Sequence, residues 1–243
     1  MRYRGLTHMD FVKKVSVEEL AKTIDHTILK PNLTFNDVLK VCRESIEYGF
    51  ALAMIPPIYV RKAVQEYGDC RIGTVIGFPL GYQTLNTKLK EAEEAISNGA
   101  SEIDMVMNVM EFKSGNKGYV LREISEIVDL AKSMGKVTVK VIIETGYLAD
   151  EEIIEASKIV KQAGADYVKS CTGFGPRGVT VHDVTLMFNA VKGEIGVKAA
   201  GGIRHAEDAI ALLIAGASRI GTSSGVEIIK EYRKLRETLG FKN

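Results

Sequence analysis

Two lysines, Lys169 and Lys198, sit inside short apolar runs that otherwise have the composition of buried β-strands: Asp-Tyr-Val-Lys169-Ser-Cys-Thr-Gly and Gly-Val-Lys198-Ala-Ala-Gly-Gly. Desolvating an ammonium is costly, so lysine is rarely buried unless it is paired or chemically needed. If the two runs are neighbouring strands, their amines face each other about 6 Å apart. At an effective dielectric near 20, like charges at that distance repel by about 2.8 kcal/mol, worth roughly two pKa units. Burial pushes the same way, and one amine is then free for a useful fraction of the time at neutral pH. A neutral lysine beside a carboxylate is the equipment of Schiff-base chemistry. The amine attacks a carbonyl, the iminium withdraws electrons, and the carboxylate, through a water, moves protons on and off carbon.

Positioning such groups calls for a sheet, and the chain supplies the pattern of one. Apolar, β-rich runs recur at residues 23–27, 51–55, 72–78, 102–107, 137–144, 167–172, 197–200 and 219–223. Between them apolar residues fall at helical spacing, as in Val38, Cys42 and Ile46, or Leu85, Leu89, Ala92 and Ile96. Three junctions share one shape: Asn-Gly99-Ala-Ser-Glu-Ile, Ala-Gly164-Ala-Asp-Tyr-Val and Ala-Gly216-Ala-Ser-Arg-Ile, each a glycine ending a helix before a strand. Repeated units of this kind give right-handed crossovers and a parallel sheet, and eight in 243 residues is the size of a TIM (β/α)8 barrel. An open doubly wound sheet competes, but no Gly-x-Gly-x-x-Gly follows the first run. Ser16-x-x-Glu19 reads as a capping box opening a short extra helix before the first strand. The expected organisation is a 1–15 extension followed by a single barrel over 16–243.

Alternation along the strands decides which side chains enter the barrel. Asp104 and Asn108 share one side of the fourth run, with Met105 and Met107 on the other. Lys140 and Glu144 share a side of the fifth. Helix-facing positions must be apolar, so these groups, with Lys169 and Lys198, are predicted to point inward. Interior salt bridges that satisfy one another are the plain alternative, though buried ion pairs stabilise little. In the first run Asp25 and Thr27 share a face suited to a hydroxylated substrate, which turns His26 toward the helices as a structural residue. Cys171 lacks a histidine partner and is read as packing.

Three strands end in glycine-rich turns: Cys171-Thr172-Gly173-Phe174-Gly175, Ala200-Gly201-Gly202-Ile203 and Gly221-Thr222-Ser223-Ser224-Gly225. Glycine lets backbone N–H groups approach an anion, and the following helix N-terminus is electropositive. Tight βα turns alone would also use glycine, but successive loops on one barrel face favour a phosphate.

Bulk properties set the remaining bounds. Thirty-two basic and 31 acidic side chains are interspersed and leave a net charge of +1, so no nucleic-acid partner is implied. The longest uncharged apolar stretch, residues 49–60, is too short to span a bilayer and contains Pro56 and Pro57. Cys42, Cys70 and Cys171 are odd in number without C-x-x-C spacing, and no His, Asp or Glu cluster has metal-ligand spacing. The expectation is a protein of the reducing cytosol with no metal, no cofactor and no membrane association.

The chain resembles deoxyribose-phosphate aldolase, a class I aldolase family. The resemblance rests on Ile24-Asp25-His26-Thr27-Ile28-Leu29-Lys30-Pro31, Gly77-Phe78-Pro79-Leu80-Gly81, the stretch from Glu102 to Asn108, that from Lys140 to Thr145, that from Tyr167 to Gly175, and Val197-Lys198-Ala199-Ala200-Gly201-Gly202-Ile203-Arg204, and covers about 17–229. It implies reversible cleavage of 2-deoxy-D-ribose 5-phosphate to acetaldehyde and D-glyceraldehyde 3-phosphate by a homo-oligomer, dimer or tetramer. On matched positions Lys169 resembles the Schiff-base lysine, Lys198 the neighbour that lowers its pKa, and Asp104 the proton-relay carboxylate. Gly173, Gly201, Gly202, Ser223 and Ser224 match the phosphate site, while Asp25, Thr27, Asn108, Lys140 and Thr172 fall at the substrate pocket. The chain departs from the family at Ala53, where many members carry cysteine, at Cys171, where serine is usual, and in ending Gly240-Phe241-Lys242-Asn243 where some members carry a functional tyrosine. Two rival readings are a phosphosugar isomerase or synthase on the same barrel without a covalent intermediate, and a non-catalytic phosphate-ligand sensor.

Overall fold

A computed structural model describes residues 3–241. Eight parallel strands close on themselves in sequence order: β1 (Ile24–Thr27), β2 (Leu52–Met54), β3 (Ile72–Ile76), β4 (Glu102–Val106), β5 (Thr138–Ile142), β6 (Tyr167–Lys169), β7 (Gly196–Ala200) and β8 (Arg219–Thr222). Each coincides with one of the eight runs. The helices in chain order are α1 (His8–Lys14), α2 (Val17–Ala21), α3 (Phe35–Glu47), α4 (Val60–Glu66), α5 (Leu85–Ser97), α6 (Val109–Lys113), α7 (Lys117–Met134), α8 (Asp150–Gln162), α9 (Val181–Val191), α10 (Ala206–Ala215) and α11 (Gly225–Thr238). One helix follows every strand except β4, which is followed by the short α6 and then α7. This is the TIM barrel the pattern implies. No helix among the described residues is long and apolar enough to cross a membrane.

The recurrent junctions work as expected: Gly99, Gly164 and Gly216 have φ of +101°, +80° and +127° where a helix turns into the next strand. Ser16 and Glu19 close the capping box of α2, with Ser16 N–H donating to Glu19 Oε2 at 3.0 Å and Glu19 N–H to Ser16 Oγ at 3.1 Å. A second box, between Thr7 and Asp10, opens α1 inside the 1–15 segment, where no helix was expected. Phe11 and Val12 on α1 are fully buried.

Two expectations need correction. Ile46 is 46% exposed, and the buried stripe of α3 is Val38, Val41, Cys42 and Ser45. Eight residues advance a helix by about 80° beyond two full turns, enough to carry Ile46 off the face that Val38 occupies. β6 ends at Lys169 rather than continuing to Thr172. Ser170 Oγ donates to Ala200 O (3.0 Å) and accepts from Ala200 N–H (2.9 Å), so a side chain replaces the backbone ladder there.

The barrel interior is divided. On β2 and β3, Leu52, Met54 and Val75 form a small apolar cluster of their own. The inward positions of β4 to β8 and β1 are charged, as described next.

Candidate active site

The register sets charged side chains against one another across neighbouring strands. Asp104 pairs with Lys140, Lys169 with Lys198, and Lys198 with Arg219. Asp104 is the hub, fully buried, with Oδ1 accepting from Lys140 Nζ at 2.8 Å and Oδ2 from both Lys169 (2.8 Å) and Lys198 (2.7 Å). Below it a second layer continues the alternation. Asp25 Oδ2 lies 2.5 Å from Lys198 Nζ and its Oδ1 2.6 Å from Arg219, while Glu102 Oε2 lies 2.5 Å from Lys140 Nζ and its Oε1 3.4 Å from Arg219. All of these side chains are buried.

Sequence reasoning missed Glu102 and Arg219. The signal was present: Glu102 is two residues before Asp104 and Arg219 four before Ser223, so period-two alternation puts each on the inward face. Both sit at the very start of their strands, where a charge reads as a solvated strand end.

Counting charges explains why one lysine differs. Four basic side chains (Lys140, Lys169, Lys198 and Arg219) face three carboxylates (Asp25, Glu102 and Asp104). Arg71 also touches Glu102 at 2.7 Å, but its side chain is 59% exposed and solvent screens it. The interior is neutral when one of the four gives up its proton. Lys169 is the one at the cleft, and burial first, then the neighbouring Lys198 and Lys140, outweigh Asp104 and lower its pKa to about 8. Roughly one molecule in ten then carries a free amine at pH 7, against fewer than one in a thousand for an ordinary lysine. Burial also opposes the charge of Lys140, but Asp104, Asp25 and Glu102 together overcome it and hold that lysine above its usual range. Asp104 and Asp25 stay ionised, because the cations around them outweigh the burial that would neutralise them.

Lys169 forms the floor of a cleft of about 530 Å3 at the C-terminal ends of the strands. Thr27, Thr172, Gly173, Gly201, Gly202 and Ser223 line it as well, together with Lys30 and Arg204. Asp104, Lys140, Lys198 and Asp25 lie behind Lys169 and are not among the lining residues. Ser224 is set back as the residue before α11, where its N–H donates to Thr222 Oγ1 at 2.9 Å. Thr27 Oγ1 donates to Asp25 O at 2.8 Å.

Asn108 is outside this cluster. Its Oδ1 accepts from Glu111 N–H at 3.1 Å, capping α6, and its own N–H donates to Glu123 at 3.0 Å. Glu144 also leaves the lysines. It follows the end of β5 in a left-handed conformation (φ +54°, ψ +68°) and its Oε2 accepts from the N–H and Oγ1 of Thr172, holding the loop after β6. His26 faces away from the interior, 2.8 Å from Glu44 on α3. Cys171 is buried, and burial pushes its thiol up to about 11, far from a thiolate at neutral pH. Among the described residues no group of three or more His, Cys, Asp and Glu is arranged to hold a metal ion.

The chain is similar to known proteins over most of its length. A deoxyribose-phosphate aldolase from Caldanaerobacter subterraneus subsp. tengcongensis is 53% identical over 224 residues, 91% of this chain and 97% of the relative. One from Thermoanaerobacter sp. is 52% identical over 219 residues, 89% of this chain and 98% of the relative. Among solved structures, the tetrameric deoxyribose phosphate aldolase of Aeropyrum pernix superposes with a TM-score of 0.85 at 38% identity, covering 93% of this chain and 95% of that one. The family model described as DeoC/LacD family aldolase matches residues 20–231, a stretch that begins before β1 and ends beyond β8. With all eight strands inside that match, the chain belongs to the DeoC/LacD family of aldolases.

Proposed function

We propose that the protein is a class I aldolase that reversibly cleaves 2-deoxy-D-ribose 5-phosphate to acetaldehyde and D-glyceraldehyde 3-phosphate through a Schiff base on Lys169. The observation that carries the reading is that Lys169 opens on the cleft while being the unmatched cation of an otherwise neutral interior. Its amine adds to C1 of the open-chain sugar, and loss of water gives the iminium. The C3 hydroxyl proton leaves, the C2–C3 bond breaks, its electrons flow into the iminium, and glyceraldehyde 3-phosphate departs. The remaining enamine is protonated at C2 and hydrolysed to acetaldehyde, which frees Lys169. Asp104, within 2.8 Å of Lys169 and ionised, orients the water that passes these protons to and from the reacting carbon, and Lys198 on the same carboxylate oxygen disfavours a second charge.

The phosphate is read into the far end of the cleft, with the backbone of Gly173, Gly201, Gly202 and Ser223 and the N-terminus of α11, which follows Ser224, as its donors. Thr27 and Thr172 would meet the sugar hydroxyls. Asp25 and Lys140 support the site from beneath, whereas Asn108, which caps α6, is left without a substrate role. Residues 16–243 are read as one catalytic domain with 1–15 as an extension. The tetrameric Aeropyrum relative supports a homo-oligomer, and three free cysteines together with a phosphosugar substrate support a cytosolic enzyme.

Borohydride trapping with acetaldehyde, followed by mass spectrometry of the digested protein, tests the reading. A reduced two-carbon adduct on Lys169 is expected. An unmodified protein, under conditions that label a control class I aldolase, would overturn it in favour of a phosphosugar enzyme without a covalent intermediate.

A further inference from the structure

We propose that Arg219 and Glu102, at the base of the barrel, set the charge balance that fixes the pH at which Lys169 becomes a nucleophile, so that they tune the reaction without meeting its substrate. This rests on the reading of Lys169 as the reactive amine. Neither residue lines the cleft, and both are buried at the first position of their strands, β8 and β4. Arg219 joins the two lower carboxylates, at 2.6 Å from Asp25 and 3.4 Å from Glu102. Those carboxylates in turn hold Lys198 (2.5 Å) and Lys140 (2.5 Å), the two lysines that share Asp104 with Lys169.

The groups facing Lys169 come from every side of the barrel. Lys140 lies on β5 with Glu144 beyond its end, Lys198 on β7, Asp104 above Glu102 on β4, Asp25 on β1 and Arg219 on β8, while Tyr167 precedes Lys169 on β6. β2 and β3 contribute only Leu52, Met54 and Val75, which carry no charge and screen nothing. Lys30 and Arg204 also reach the cleft of Lys169, from the loops after β1 and β7, but they are the same in every variant and leave a comparison between variants unchanged. At the base, Arg71 links Glu102 to solvent. In such an interior a unit of charge removed from the lower layer is felt at the upper one. β8 lies two strand spacings from β6, roughly 10 Å, and at an effective dielectric near 20 a unit charge at that range moves a titration by about one pH unit.

The sign differs between the two residues, which separates tuning from mere support. Removing Arg219 leaves an excess of negative charge, favours the ammonium and moves the acid limb of kcat/KM to higher pH. Removing Glu102 leaves an excess of positive charge, favours the free amine and moves that limb lower. The experiment measures the pH profile of kcat/KM, with the pH dependence of borohydride trapping at Lys169 beside it, for the full chain carrying Arg219→Met, Glu102→Gln, both together, or Arg219→Lys. Expected midpoints are about one pH unit above wild type, about one below, and near wild type for the double variant and for Arg219→Lys. If Arg219→Met does not fold, Glu102→Gln and the charge-balanced double variant still decide. Unmoved midpoints, or single variants shifting the same way, would overturn the proposal. Failure to trap Lys169 in the wild-type protein would instead overturn the reading on which it rests.

Discussion

Four lysines of this protein are buried against carboxylates, and two of them, Lys88 and Lys169, are buried in opposite ways. Lys88 on α5 is fully buried, and its Nζ donates to Glu123 Oε1 on α7 and to Val106 O, both at 2.8 Å. Burial lowers its pKa and raises that of Glu123, with each partner opposing the shift of the other. One base faces one acid there, so the pair is neutral whichever atom holds the proton. Glu123 goes on to accept the N–H of Asn108, so the pair fastens α5 and α7 to the end of β4. Lys169 has equal burial but shares Asp104 with two other lysines, and it alone of the three lines the cleft. Burial with a carboxylate of its own leaves Lys88 a structural lysine, whereas burial without one sets Lys169 apart as the candidate nucleophile.

The contrast is broken most sharply by activity. Lys169→Ala is expected to lower turnover by about 10^4-fold or more with the fold intact, while Lys88→Met leaves kcat of the folded protein within a few-fold. Steady-state cleavage assays on both variants, beside their circular dichroism, check this, and appreciable residual turnover in a folded Lys169→Ala protein would sink it. Stability should show the reverse order. Lys88→Met strands Glu123 and is expected to cost about 3–5 kcal/mol in urea unfolding, most of it recovered when Glu123→Leu is added, since a buried pair is expensive mainly when halved. The mildest effect is that of pH. Because a lysine attacks as the free amine and that of Lys169 titrates at about 8, kcat/KM is expected to rise nearly tenfold per pH unit below about 7. It should level off above about 8 rather than above 10, and a profile flat from pH 6 to 9 would refute this.

The barrel was legible because its signals are local and repeated. Eight β-rich runs, the three glycines at Gly99, Gly164 and Gly216, and the Ser16 box each depend on residues near in sequence, and each appears in the fold. The convergence of Lys169, Lys198 and Asp104 was legible for a related reason, since alternation gives the face and neighbouring strands give the register. Lys88 was not, although it stands four residues before Ala92 on the stripe that α5 buries. A lysine on a helix reads as solvated until its partner is known, and Glu123 lies 35 residues away on another helix. Asn108 kept the parity of Asp104 but stands beyond the last residue of β4, where a helix cap governs its side chain. The same limit applies to Glu144, whose left-handed backbone turns it away from the face that alternation assigns.

The last helix reaches back to the start of the chain. Tyr232 on α11 donates to the carbonyl of Val15 at 2.9 Å, and Arg236 donates to those of Val12 (2.5 Å) and Val15 (2.6 Å). β1 is likewise hydrogen-bonded to β8. These partners are separated by 217 to 224 residues along α11 alone. At about 5–20 residues per second, a ribosome delivers Tyr232 roughly ten to forty seconds after Val15. Throughout that interval Phe11, Val12, Leu20 and Ile24, all inaccessible in the finished molecule, await their final cover. The growing chain therefore carries an apolar seam over residues 11–24 until α11 emerges, and the cylinder that encloses Lys169 closes only with that helix.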